Sequence, residues 1–240
     1  MQPTTPKGLK VIARKGWIFV RRVLAAILIL IGLGLLAYPT TRERYFDLRQ
    51  QQLLVAWAES QAVGALLSAP SAQEARLEQE GVQAPAPAPV NRLDPEREKY
   101  IQENMEGVLQ IDKIGLKIPV LREDSKENLN ISVAHVAGTT GLGEVGNYCI
   151  AGHRMRTYGR HFNRLHELGT GDRIKFTGPD ETYVYQVVEV LVIKPEETWV
   201  LEPSGEERLI TLITCDYSQK PSLRLVVRAR LAIEASRKGG

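Results

Sequence analysis

The chain has 240 residues, 43% of them hydrophobic and 25% charged, with a formal net charge of +3. That balance excludes a wholly disordered chain, and the positive excess is too mild for a nucleic-acid binder. The only two cysteines, Cys149 and Cys215, form neither a disulfide framework nor a metal-ligand spacing, and they read as separate thiols.

The N-terminal 22 residues read as a basic segment. Lys7, Lys10, Arg14, Lys15, Arg21 and Arg22 all precede the first acidic residue, Glu43. From Val23 to Tyr38 run sixteen uncharged residues, which span about 24 Å as a helix. Snorkelling of Arg21 and Arg22 brings the span up to bilayer thickness. A buried core helix would not be apolar all round with cations on one side only. A cleaved signal peptide shares this profile, but Pro39 and the lack of a clear small-x-small site favour a retained anchor over residues 23–38. The cation excess places the N-terminus in the cytoplasm and the rest outside.

Residues 39–90 read as an extracellular stalk helix followed by a linker. Phe46, Leu53, Leu54 and Trp57 are too sparse for a domain core. The alternating Ala84–Pro89 run is an extended, semi-rigid spacer.

Residues 91–240 carry mainly β signals. Strands are expected at Val108–Ile114, Leu116–Val120, Tyr148–Ala151, Arg173–Phe176, Thr182–Ile193, Arg208–Thr214 and Ser222–Ile233. Gly-rich turns separate them, and Phe162, Leu165 and Leu168 suggest one helix over His161–Leu168. The expected fold is mainly β: a closed or nearly closed barrel of about eight strands with one or two short helices.

Two strand ends carry chemistry. Thr211–Cys215 is rich in β-branched residues and ends in a thiol, ahead of polar Asp216 and a Ser-Gln-Lys-Pro loop. Asn147–Arg154 reads NYCIAGHR and ends in an imidazole and a guanidinium. A thiol attacks an amide as the thiolate, which a nearby imidazole or guanidinium stabilises, and the imidazolium then protonates the leaving amine. A buried apolar cysteine is the ordinary alternative for each thiol. It fits Cys149, inside its strand, better than Cys215, at a strand mouth. Among the histidines, His161 and His166 are expected as solvated residues of the short helix. Arg224 and Arg228 share a strand face, so periodicity leaves both as candidate cations, with Arg228 and Arg230 better read as solvated.

NYCIAGHR, then TLITC some sixty residues later, then a strand bearing LRLVV, resembles the sortases, membrane-anchored cysteine transpeptidases of Gram-positive bacteria. The likeness covers about Leu109 to Leu231. It implies Cys215 as nucleophile, His153 as acid/base and Arg224 as the cation that holds the substrate carbonyl. It also implies a supporting place for His135, for which a satisfied half-buried histidine is the equal alternative. The implied reaction cleaves an LPxTG-like sorting signal after Thr and transfers the acyl group to an amine of the cell wall. Implied partners are secreted proteins with such a signal, an amine acceptor and the lipid bilayer, without nucleic acid. No cofactor or metal is expected, and no acidic cluster makes a case for calcium. The short Lys194–Glu207 connection and the lack of an aromatic lid motif look most like class D, although Asp216-Tyr217 replaces the Tyr-Pro or Thr-Pro usual after the cysteine there. A hydrolase using the same groups, a non-catalytic binding module on a stalk and an anchored envelope scaffold are the rival readings.

Overall fold

The computed structural model describes residues 7–68, 95–155, 160–218 and 222–235; the Ala-Pro spacer lies outside them. The chain divides into two compact units, residues 1–47 and 48–240.

Helix α1 covers Lys7–Ser68 and contains Pro39. The anchor and the stalk expected on either side of that proline are thus one helix, which forgoes a backbone hydrogen bond at Pro39 rather than ending there. Within Arg21–Ala62 lies a stretch of mean hydropathy 2.3, long and apolar enough to cross a membrane. In the second unit Leu53, Ala56 and Trp57, at i, i+3 and i+4, are buried. This part of the helix therefore has a covered face that a solvated stalk would lack.

A short helix, α2 (Pro95–Asn104), has proline at its start and Glu96 and Glu98 in its first turn, both favourable at a helix N-terminus. It leads into eight strands: β1 (Met105–Ile111), β2 (Leu116–Leu121), β3 (Val133–His135), β4 (Gly146–Ala151), β5 (Arg173–Thr177), β6 (Thr182–Ile193), β7 (Arg208–Asp216) and β8 (Leu223–Ala235). A helical turn, α3 (Lys126–Ile131), precedes β3, and the Ser125 side chain caps it by accepting from the Asn128 N–H at 3.2 Å.

The strands close into a barrel in the order β1-β2-β3-β4-β7-β8-β6-β5. Neighbours are antiparallel except for two pairs, β2–β3 and β4–β7. Tyr148 and Ile150 of β4, Ile210 and Leu212 of β7, and Val227 and Ala229 of β8 point inward and join one core with Leu109, Ile111, Phe176 and Tyr185. Ile213, Val226, Leu191 and Ile193 point the other way. Val200 and Leu201 of the β6–β7 connection cover them as a second apolar cluster. Asn147 holds that connection down, donating from Nδ2 to the Val200 carbonyl at 2.7 Å and to the Glu202 carbonyl at 3.2 Å.

The helix expected over His161–Leu168 is a 3-10 turn at Leu165–Glu167. Phe162, Leu165 and Leu168 are buried as expected. Their spacing of three matches the 3-10 period, in which i and i+3 eclipse, better than the 3.6 of an α-helix.

Candidate active site

Strand pairing sets the site. Cys215 lies directly opposite Arg224 across β7 and β8, and Arg224 in turn faces Ile193 on β6. On the other flank β4 and β7 run in parallel, with Ala151 beside Ile213. The register continues past the strand end: the Gly152 N–H donates to the Ile213 carbonyl at 3.0 Å, and the Thr214 hydroxyl donates to the Gly152 carbonyl at 2.8 Å. His153 stands two residues beyond Ala151, as Cys215 stands two beyond Ile213. One row on the outer face of the barrel thus reads His153, Cys215, Arg224. His153 is exposed, whereas Cys215 and Arg224 are half-buried.

Gly152 has a steric reason to be glycine. A Cβ there would sit 2.6 Å from Val133 Cγ1 and 2.7 Å from Phe162 Cδ2. Any side chain would push β4 away from these core residues and carry His153 with it.

Beneath the row, Arg154 and Asp216 meet at 2.8 Å. Asp216 also accepts from the Ser218 N–H at 3.1 Å and from its hydroxyl at 2.9 Å. Burial alone would raise the Asp216 carboxyl, but these bonds from Ser218 and Arg154 outweigh it and hold the group below the usual range. By alternation Tyr217 returns to the Cys215 face, with its side chain largely exposed; burial, then the Cys215 charge, raises its phenol above the ordinary value. Neither the Arg154–Asp216 pair nor Tyr217 was expected from the sequence. Their only signal is the alternation that turns Asp216 away from the Cys215 face and brings Tyr217 back to it.

His135 stands apart from the row. It pairs with Ile150, a barrel-core residue, and its ring packs against Tyr148 with centroids 4.5 Å apart. Its Nδ1 lies 3.0 Å from Glu106 Oε1 and its Nε2 lies 2.9 Å from the Thr139 hydroxyl. Tyr148 also donates to Glu106. Burial would raise the Glu106 carboxyl, yet the bonds from His135 and Tyr148 bring it below its ordinary value. A cavity of about 450 Å³ is lined by Glu106, Arg122, Leu142 and Tyr183, and no residue of the row borders it.

The other candidates sort by burial. Cys149 is buried, and burial pushes its thiol up to about 12. His166 is exposed as expected. Arg228 is not the solvated cation expected. It pairs with Glu189 at 3.2 Å and lies over the Trp199 ring, 5.8 Å from its centroid, because the β6–β7 connection folds back over this face. Arg230 is half-exposed and pairs with Glu207 at 2.6 Å. Among the described residues no group of three or more His, Cys, Asp or Glu side chains is placed to hold a metal ion.

His161 is the clearest departure from expectation. It is 2% exposed, has a φ of 46°, and among the described residues neither ring nitrogen has a hydrogen-bond partner. The backbone explains the position. Arg154 and His161 form a β-bridge, and the Phe162 N–H donates to the His153 carbonyl at 3.2 Å, so the loop after β4 closes on itself with the ring beneath. Burial, then the Arg160 and His153 charges, lowers His161 to about 4. The unfolded chain binds this proton near pH 6.5, so stability is fully present above that pH and is lost as pH falls towards 4. The loss should approach roughly 3 kcal/mol. Denaturant titrations at pH 7, 5.5 and 4 check this, and His161→Phe should flatten the slope between pH 6.5 and 4.5. An unchanged slope in that variant would assign the acid sensitivity to other groups.

The Sortase domain model matches residues 109–232. The barrel and the order of its elements agree with that match, and the chain belongs to the sortase family. Sortase A of Bacillus anthracis is 34% identical over 125 residues, a stretch that covers 52% of this chain and 59% of that protein. The chain thus spans less than two thirds of this relative's length. A solved sortase D5 transpeptidase of Clostridium perfringens superposes with a TM-score of 0.51 at 29% identity, covering 60% of this chain and 91% of that one. Sortase C-1 of Streptococcus pneumoniae gives 0.53 at 26% identity, covering 60% and 76%. Neighbours named for different classes lie equally near, so class D is not singled out.

Proposed function

We propose that this protein is a membrane-anchored cysteine transpeptidase that cleaves an LPxTG-like sorting signal after Thr and passes the acyl group to an amine of the cell wall. The observation that carries the reading is the row on the outer rim, where Cys215 has His153 on one flank and Arg224 on the other. His153 takes the thiol proton, and the Cys215 sulfur attacks the Thr carbonyl. Arg224 holds the oxygen as it gains charge. The imidazolium then gives its proton to the leaving amine, which leaves a thioester. An incoming amine loses its proton to His153 and displaces the sulfur. No metal or organic cofactor enters this scheme.

Helix α1 anchors the chain, with the cations before Val23 in the cytoplasm and the barrel outside. His135, bonded to Glu106 on β1 and to Thr139 and packed against Tyr148 of β4, braces β3 on the inward side in this scheme. The short connection between β6 and β7 keeps class D as our preferred subclass.

The test is to incubate the full chain in detergent with a panel of sorting-signal peptides plus a small amine, and to follow products by mass. A peptide cut at Thr and carrying the amine is the expected result. Release of acid alone would make it a hydrolase. No product from any peptide, with Cys215 alkylating no faster than Cys149, would make it a binding module.

A further inference from the structure

His153 stands past the end of β4, beyond the strand ladder, with its side chain exposed. Segments in that position are ordinarily mobile. Here the backbone around it is tied down residue by residue. The Gly152 N–H donates to the Ile213 carbonyl of β7, and the Gly152 carbonyl accepts from the Thr214 hydroxyl. The His153 carbonyl accepts from the Phe162 N–H at 3.2 Å, and Arg154 forms its bridge with His161. The Arg154 guanidinium reaches Asp216 on the other flank. Last, the Met155 carbonyl accepts from the side-chain amide of Asn163. The returning segment, Arg160–Asn163, is itself rooted. Phe162 and the following Leu165 are fully buried in the barrel core, and the Asn163 N–H donates to the Arg160 carbonyl at 3.1 Å. This arrangement carries two local costs at His161: a left-handed backbone, and a buried ring without a hydrogen-bond partner among the described residues. Such costs persist only where the surroundings over-determine the conformation.

We propose that Asn163 is a positioning residue for acyl transfer: its amide holds the Met155 carbonyl and thereby fixes the turn that presents His153 beside Cys215. Several ties on this turn are backbone bonds that many sequences could make. The bond from Asn163 depends on its side chain, which must be short and carry an N–H donor. Leucine has nearly the same shape and no donor; glutamine has the donor but is longer by one methylene. The tie lies two residues beyond His153, so losing it frees that flank of the turn, while β7 still holds Gly152 on the other. The imidazole then samples orientations away from the thiol, and it is less often placed to take the Cys215 proton. Asn163 acts only through His153. The inference therefore rests on the reading of His153 as the acid/base, though not on the identity of the peptide.

The test is alkylation of Cys215 by iodoacetamide at pH 7 in the full chain in detergent, without peptide, with Cys215→Ala as the background. His153→Ala should slow it at least about tenfold, because the thiol loses its base. Asn163→Ala should slow it about three- to tenfold, and Asn163→Gln, which keeps a donor, should recover part of that loss. In the His153→Ala background Asn163→Ala should change nothing further. Cys149 should stay unmodified throughout, which reports an intact barrel. If it becomes reactive in Asn163→Ala, the comparison passes to Asn163→Leu; reactivity in both makes Asn163 a structural residue and overturns the proposal. Normal alkylation of Asn163→Ala beside a slowed His153→Ala would also overturn it, as would equal slowing with and without His153. An unslowed His153→Ala would reject the acid/base reading itself. With a peptide that gives product, kcat of Asn163→Ala should fall by a similar factor while KM stays within about twofold. A rise in KM alone would count against the positioning role. A His153-dependent loss in a protein that transfers no peptide would retain this assignment and reject the transpeptidase reading instead.

Discussion

Cys215→Ala should lose all amine-dependent product, a fall of at least about a thousandfold, and His153→Ala should fall nearly as far. The two effects should not add. Without the thiol the imidazole has no proton to take, and without the imidazole the thiol has no acceptor in the row. The double variant should therefore match Cys215→Ala. Single-turnover assays with a sorting peptide and an amine, read by mass, measure all three. Covalent peptide should accumulate on neither Cys215→Ala nor the double variant. Product formation by Cys215→Ala at more than a few per cent of the normal rate would remove Cys215 from the chemistry. Cys149→Ala, at the buried position on β4, should leave the peptide reaction within about twofold, because its thiol, raised to about 12, supplies almost no thiolate near neutral pH.

Arg224→Ala should lower kcat about a hundred- to a thousandfold, the usual cost of removing one group that holds a developing oxyanion. Arg224→Lys separates charge from shape. A lysine keeps the cation but not the planar fork of donors, so it should recover only part of the loss. Alkylation of Cys215 should survive in both variants, since iodoacetamide needs no oxyanion site. If Arg224→Ala raises KM and leaves kcat intact, the guanidinium binds the peptide and does not act on the reacting carbonyl. The position itself should tolerate the change, because among the described residues the half-buried side chain donates to its own neighbour, the Leu223 carbonyl, at 3.3 Å.

Most of the barrel was legible in the sequence because alternation is a local property. β6 was expected at Thr182–Ile193 and lies there, and β5, β7 and β8 begin or end within a residue or two of expectation. β3 was not seen, since Val133–His135 is too short to alternate. It exists only because β2 and β4 pair with it on either side. The helix at Pro95–Asn104 had its proline and acidic start in plain view but no apolar period to mark it. At the site, the sortase-like motifs singled out the cysteine, histidine and arginine, and strand register puts Cys215 opposite Arg224. The Arg154–Asp216 pair was hidden, because it depends on where two strand ends meet. His161 was misplaced for the same reason. A backbone bridge to Arg154 buries it, and no hydrophobic pattern announces that.

The parallel pairing of β4 with β7 also bears on the order of folding. Cys215 lies on one of these strands and His153 follows the end of the other; no hairpin can join a parallel pair, and the segment between them builds β5 and β6 at other places in the barrel. Loop closure over such a separation is slow, so this pairing belongs among the late events of folding. Until it forms, the chain carries an unassisted thiol with no base at its side. On the transpeptidase reading, the thiol gains its base only when the barrel is complete.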